Sequence, residues 1–208
     1  MTNILFIKAN DRPTEQSISM RMYETFLQQY KQLHPSDSIT QLDLFKENPP
    51  YYGNAAILGV AKQKNGLELT EEEIEAVSYV ERFIEQYLSA DKIVIAFPLW
   101  NGTAPTPLIS YLSYITQAGK TFTYSQQGPV GLGGQKKVII LHARGGDYTN
   151  STAVVQEMAI SYVETILNMI GVDHIETMII EGHNQYKDRA EEIITAGLEQ
   201  VASIAKYF

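Results

Sequence analysis

The chain has 208 residues, 44% hydrophobic and 19% charged, which suits one compact domain with a full apolar core and leaves too little for two comfortable ones. A net charge of -8 at pH 7 argues against the clustered Lys and Arg with which nucleic-acid binders displace counterions, so no nucleic-acid partner is expected. The absence of cysteine removes disulfides, thiolate nucleophiles and zinc–thiolate sites. The four histidines (His34, His142, His174, His183) show no ligand-like spacing, so no metal site is expected either. No apolar stretch approaches the roughly 20 residues of a membrane span, and MTNILFIKAN carries neither a basic n-region nor a cleavage site. The expected location is cytoplasmic, with no membrane partner.

In chain order, ILFI from Ile4 is the first expected strand. SISMRMYETFLQQYKQL follows, with Met22, Phe26, Leu27 and Tyr30 at helical spacings. SITQLDLF from Ser38 is a weaker second strand, and residues 47–66, ENPPYYGNAAILGVAKQKNG, read as a long Pro- and Gly-bearing connection. TEEEIEAVSYVERFIEQYL opens a helix with Thr70 and Glu73 in a capping-box arrangement. KIVIAF from Lys92 is the third strand, followed by a helix near Pro105 and Pro107. Residues 119–135 form a second long connection, with a small β-ribbon expected around Phe122 and Tyr124. KVIILHA from Lys137, the helical STAVVQEMAISYVETILNMIG, the strand HIETMIIEG from His174 and the helical DRAEEIITAGLEQVASIAKYF complete the chain.

Three of the strand runs are continuously apolar rather than alternating, as in strands buried on both faces of a parallel sheet. Strand–helix alternation with five strands and five helices predicts a single α/β domain over residues 1–208. Its sheet is doubly wound, parallel and flavodoxin-like, of order 2-1-3-4-5 and flanked by helices, instead of the six-stranded dinucleotide fold.

Open α/β sheets bind ligands beyond the carboxyl ends of their strands, near the switch point, which directs attention to the loops after strands one, three and four. In ANDRPTEQSIS, Ser17 and Ser19 open the first helix, where hydroxyls and free N–H groups favour an anion, phosphate above all; Ser17 also reads as a simple helix cap. G-x-x-x-x-G-K-[ST] is absent, as is G-x-G-x-x-G in the first turn, so nucleoside-triphosphate and Rossmann-type NAD binding lose their usual support. After strand three, Pro98 ends the strand, Trp100 offers an aromatic face to a planar ligand, Asn101 an amide, and Gly102 a turn. A Trp that merely covers the core edge is the competing reading. In HARGGDY, Gly145 and Gly146 allow backbone N–H groups close to a flat polar ring, while Arg144 either neutralises negative charge or is a solvated surface residue. A phosphate at one end and a planar hydrogen-bonding ring at the other is the shape of FMN.

These stretches, together with PLWNGTAPTPLISYL, AGKTFTYSQQGPVGL and MIGVDHIETMIIEG, resemble the FMN-dependent NADH-azoreductase family, also described as NADH:quinone oxidoreductases, over nearly the whole chain. The resemblance implies a flavodoxin-like homodimer with one FMN per subunit in clefts at the dimer interface. It assigns the phosphate to Ser17, Ile18 and Ser19 with Asn10 nearby. Pro98, Leu99, Trp100, Asn101 and Gly102 would line the isoalloxazine and ribityl chain, and Ala143, Arg144, Gly145 and Gly146 the pyrimidine side. Gly102 stands where relatives carry a bulky apolar residue and Ala143 where Ser is common, which bears on substrate range and flavin potential.

The implied reaction is ping-pong: NADH, with NADPH as an open alternative, reduces FMN and leaves, and quinones or aromatic azo compounds then take two electrons. The flavin carries the chemistry and no dedicated catalytic side chain is required. Trp100, Phe122 and Tyr124 are the candidates for sandwiching flat substrates. A flavodoxin-type electron carrier, an NAD(P)H:FMN reductase and a flavin-free binding module are the alternatives.

Overall fold

The computed structural model describes residues 1–149 and 157–208. The chain runs β1 (Asn3–Lys8), α1 (Ile18–Leu33), β2 (Ser38–Asp43), α2 (Leu44–Glu47), α3 (Asn54–Lys64), α4 (Glu71–Ser89) and β3 (Lys92–Pro98). It continues through α5 (Thr106–Ile115), β4 (Phe122–Ser125), β5 (Gly128–Gly131), β6 (Lys137–Arg144), α6 (Ala159–Met169), β7 (His174–Glu181) and α7 (Ala190–Ile204). Five parallel strands build one sheet in the order β2-β1-β3-β6-β7, while β4 and β5 pair only with each other. With that hairpin set aside, the order is the expected 2-1-3-4-5.

Burial on both faces explains the continuous apolar runs. Leu5, Ile7, Ile93, Ile95, Phe97, Val138 and Ile140 face the layer formed by α4, α5 and α6. Their sequence neighbours Ile4, Phe6, Val94, Ala96, Ile139 and Leu141 face α1 and α7. Each such Leu, Ile, Val or Phe side chain contributes roughly 1.5–3 kcal/mol through its removal from water, so the sheet centre is the most strongly fixed part of the molecule. Pro98 costs the ladder nothing on the β1 side, because β1 has already ended with Lys8 opposite Ala96.

Several elements differ from expectation. The 47–66 connection contains the helix α3, whose buried residues are Ala56 and Gly59, while Ile57 and Leu58 are exposed. A Cβ on Gly59 would lie 2.7 Å from Val77 Cγ2, so smallness, not apolar bulk, seats α3 on α4 and leaves little periodic signal. The second strand stops at Asp43, whose side chain accepts from Phe45 N–H and starts α2. Of the helix read from residue 151 onward, 151–156 lie outside the described residues, and α6 begins only at Ala159. There the Glu157 carboxylate accepts from the N–H groups of Ala159 (2.7 Å) and Ile160 (3.0 Å). The last helix starts at Ala190, after a 3₁₀ turn over Lys187–Arg189. The capping box is present, Thr70 and Glu73 satisfying each other's backbone N–H.

The expected ribbon is the β4–β5 hairpin, and it is anchored near the amino end of the sheet, where Gly133 N–H donates to Ile170 O at 2.8 Å. A Cβ on Gly131 would lie 2.0 Å from Gly171 N, a backbone atom with nowhere to go. Gly131→Ala is expected to destabilise the fold by about 1–3 kcal/mol through this overpacking. Urea unfolding of the variant beside the wild type measures it.

Candidate functional site

All five parallel strands leave the sheet at the same rim, and the loops after β1, β3, β6 and β7 surround a cleft there of about 570 Å³. It is lined among others by Asn10, Ser17, Ile18, Ser19, Pro98, Leu99, Trp100, Ala143 and Gly145, nine of the residues singled out from sequence.

At one end stands the amino terminus of α1. Ser17 is its N-cap, its hydroxyl accepting from Met20 N–H at 3.4 Å. Asn10 Nδ2 donates to Ser17 Oγ at 2.7 Å and Ser19 Oγ at 3.0 Å, while Asn10 Oδ1 accepts from Arg12 N–H at 2.9 Å. That last bond fixes which way the amide points, so both serine oxygens act as acceptors toward the protein. Their two O–H protons cannot both be used in the 3.2 Å contact between them, and at least one is left to donate outward. The Ile18 and Ser19 N–H groups meet no acceptor among the described residues, and the first turn of α1 has no acidic residue. The cleft wall carries Glu15 and Glu191 as well as Arg12 and Arg21, so it is the α1 amides and the serine hydroxyl, not net side-chain charge, that suit this end to an anion. The capping and anion readings of Ser17 hold together: its oxygen caps while its neighbours' amides stay uncommitted.

At the β3 exit, Leu99 N–H donates to Ala143 O at 2.8 Å, tying this loop to β6. Trp100 and Thr103 exchange both backbone hydrogen bonds around Asn101 (φ 53°) and Gly102 (φ 82°). This is the tight turn that an Asn-Gly pair favours, since both positions need the left-handed region. It holds the half-buried Trp100 on the cleft wall, edge-on to Phe45 at 5.9 Å. Asn101 is exposed and Gly102 buried; neither side of that pair lines the cleft, and their part is to shape the turn.

After β6, the carbonyl of Gly145 accepts from Asn184 N–H (3.0 Å) and Gln185 N–H (3.2 Å), and that of Gly146 from Gly182 N–H (3.2 Å). Neither glycine's own N–H has an acceptor among the described residues. A Cβ on Gly145 would lie 2.4 Å from Asn184 Nδ2 and 3.1 Å from Asn184 Cβ, so a larger residue here must displace the Asn184 side chain on the cleft wall.

Arg144 is not solvated and is not on the cleft wall, and the negative charge it neutralises is the protein's own. It is buried, and its guanidinium pairs with Glu181 (2.8 Å) and Glu157 (3.6 Å). Phe122 and Tyr124 are not on the cleft wall of a single chain, because their hairpin is anchored toward the other end of the sheet; Tyr124 is 75% exposed. Arg12, Gln16, Arg21, His183, Asn184 and Glu191 line the cleft without having been singled out. The last three follow β7, and extending the strand-end rule to the fifth strand finds them. His183 is held toward its neutral form by burial.

Behind the rim lies His142, fully buried on β6, with Nδ1 3.1 Å from Phe97 O and Nε2 3.8 Å from Glu157. Burial first, and then the charge of Arg144, push it down from its ordinary 6.5 to about 4, so the Glu157 contact is not an ion pair near neutrality. Because the folded state binds this proton less well than the unfolded chain, its contribution is complete above the ordinary pKa and is lost as pH falls toward 4. From about pH 7.5 to 5 wild-type stability is expected to fall by roughly 2 kcal/mol through His142, and His142→Phe to remove that share of the slope. Urea midpoints across the interval measure it.

A family model described as a flavodoxin-like fold matches residues 2–205. An FMN-dependent NADH:quinone oxidoreductase 2 of Bacillus cereus (strain ATCC 10987 / NRS 248) is 53% identical over 208 residues, spanning 100% of both chains. Among solved structures, an azoreductase from Bacillus anthracis str. Sterne superposes with a TM-score of 0.95 at 50% identity, covering 100% of each chain. An FMN-dependent NADH-azoreductase from Bacillus anthracis str. Ames Ancestor, in complex with FMN, gives 0.87 at 28% identity over 100% of this chain and 99% of that one.

Proposed function

The chain belongs to the FMN-dependent NADH:quinone oxidoreductase and azoreductase family of flavodoxin-like folds, and from that premise we propose that it passes two electrons from NADH to quinones and reductively cleaves aromatic azo compounds. One observation carries the proposal: a single cleft has uncommitted donors at both ends, the Ile18 and Ser19 amides at one and the Gly145 amide at the other, with the Trp100 turn between.

FMN fits that arrangement. Its phosphate would meet the α1 amides and the Ser17 and Ser19 hydroxyls, with Asn10 fixing the serines and Arg12 and Arg21 supplying positive charge. Pro98, Leu99 and Trp100 would flank the ring and ribityl chain, and the Gly145 and Gly146 amides would face the pyrimidine side. Bound there, FMN supplies hydride acceptance and two-electron delivery. The protein's own groups bind and orient it, and donors aimed at the pyrimidine edge favour the negative charge that gathers there on reduction. With one planar partner at a time on the flavin face beside Trp100, donor and acceptor would alternate, which is the ping-pong order.

Phe122 and Tyr124 join this reading only through a second copy of the chain. The exposed apolar residues Tyr124, Val130 and Leu132 on or beside the hairpin support a homodimer in which one copy's hairpin supplies aromatic walls to its partner's cleft. No helix among the described residues is long and apolar enough to cross a membrane.

Protein supplied with FMN is expected to show a bound oxidised-flavin spectrum that bleaches anaerobically with NADH and recovers with a quinone; NADPH tested in parallel sets the donor preference. Bound flavin that neither nucleotide bleaches would assign an electron carrier instead, and no bound flavin would refute the cleft reading. Gly145→Ala is expected to weaken FMN binding at least tenfold, about 1.4 kcal/mol, by displacing the Asn184 side chain on the cleft wall. Trp100→Ala is expected to retain FMN and lose kcat/KM for quinones in steady-state assays.

A further inference from the structure

Burying a guanidinium is costly unless it is paired, and Arg144 is only 8% exposed. Its partners are placed with a definite purpose in the geometry. One oxygen of Glu181, at the end of β7, accepts from Arg144 Nε at 2.8 Å and from Tyr148 N–H at 3.0 Å. Residues 144 and 148 bracket the Gly145–Gly146 turn, so a single carboxylate clasps the turn at both ends. The Arg144 guanidinium also lies 5.1 Å from the centre of the Tyr148 ring, which closes the clasp over the turn.

The other carboxylate, Glu157, stands 3.6 Å from Arg144 Nη1, and its charge is further offset by the α6 amides it caps. The next residue, Met158, donates its N–H to Gly102 O at 3.0 Å, which extends the connection to the Trp100 turn. Tyr186 Oη donates to Asp147 at 3.0 Å and Asp147 N–H to Gln185 Oε1 at 2.8 Å, fastening the outer side of the same loop. Arg144 and Glu181 hold the turn from its buried side and Asp147, Gln185 and Tyr186 from its exposed side, and none of these contacts uses the Gly145 or Gly146 N–H.

We propose that the buried Arg144 and the half-buried Glu157 and Glu181 form a brace that holds the Gly145 and Gly146 amides toward the flavin, making Arg144 and Glu181 positioning residues for its electron affinity and not charge partners of it. The proposal rests on the FMN reading given above. It separates two roles that an Arg beside a flavin can play. A charge acting through space survives replacement by Lys, whereas a fork that grips a carboxylate does not.

The test is the midpoint potential and dissociation constant of bound FMN in wild type, Arg144→Lys, Glu181→Gln and the double variant. A brace predicts that both single variants lower the potential. Each should reduce the preference for the two-electron-reduced cofactor about tenfold, roughly 30 mV, with the double variant no worse than the more affected single. A raised potential in Glu181→Gln with no change in Arg144→Lys would overturn the brace in favour of direct charge action, and unchanged potentials in both would overturn it outright. Should Glu181→Gln fail to fold, Tyr186→Phe loosens the same turn from its exposed side. It must then give a smaller shift of the same sign, and no shift or the opposite sign contradicts the proposal. Failure of the wild type itself to take up FMN would overturn the cofactor reading as well, and is seen before any variant is compared.

Discussion

A backbone N–H that leaves a parallel sheet without a partner must find an acceptor or stay in contact with water, and this structure collects such groups at one rim. The strands all point the same way, so their exits converge. The carbonyls there are taken by neighbouring loops, as at Gly145 and Gly146, while the amides of Ile18, Ser19, Gly145 and Gly146 are left over among the described residues. Ile18, Ser19 and Gly145 line one cleft there. Its chemistry follows from those backbone donors, which suit a ligand with an anionic group at one extreme and ring carbonyls at the other.

The rest of the molecule keeps those donors where they are. The two apolar layers fix the strands. Asn10 is fixed by Arg12 N–H and in turn fixes Ser17 and Ser19. The Trp100–Thr103 turn is locked by paired hydrogen bonds and by two left-handed residues. Glu181 and Arg144 hold the glycine turn. Rigid support of this kind is what lets weak individual donors act together, because little ordering remains to be done when the ligand arrives. Relatives of the chain are named for both quinone and azo substrates.

The sheet was legible because its strands are buried twice over: runs such as KIVIAF and KVIILHA leave no polar face to confuse with a helix. The cleft wall was legible where chemistry is local, in the Ser17 and Ser19 pair, Trp100 and Gly145, whereas Asn101 and Gly102 shape the turn beside it. What escaped depended on distance. Helix α3 is seated by Ala56 and Gly59, which give no hydrophobic stripe. The inward turn of Arg144 is dictated by Glu157 and Glu181, 13 and 37 positions away in the chain, and the cleft-lining of His183 and Asn184 by a loop that meets HARGGDY only in the folded state. Phe122 and Tyr124 sit on a real hairpin, but its anchor at Ile170 and Gly171 takes them away from their own cleft.

The most direct test of the central claim is a crystal structure of the protein with FMN. The account predicts the phosphate within about 3 Å of the Ile18 and Ser19 nitrogens, the ring beside Trp100, and its pyrimidine edge within hydrogen-bond reach of the Gly145 nitrogen. FMN bound in the reverse direction, or outside this cleft, would contradict it, because the leftover donors at the rim would then have been assigned to the wrong ligand groups.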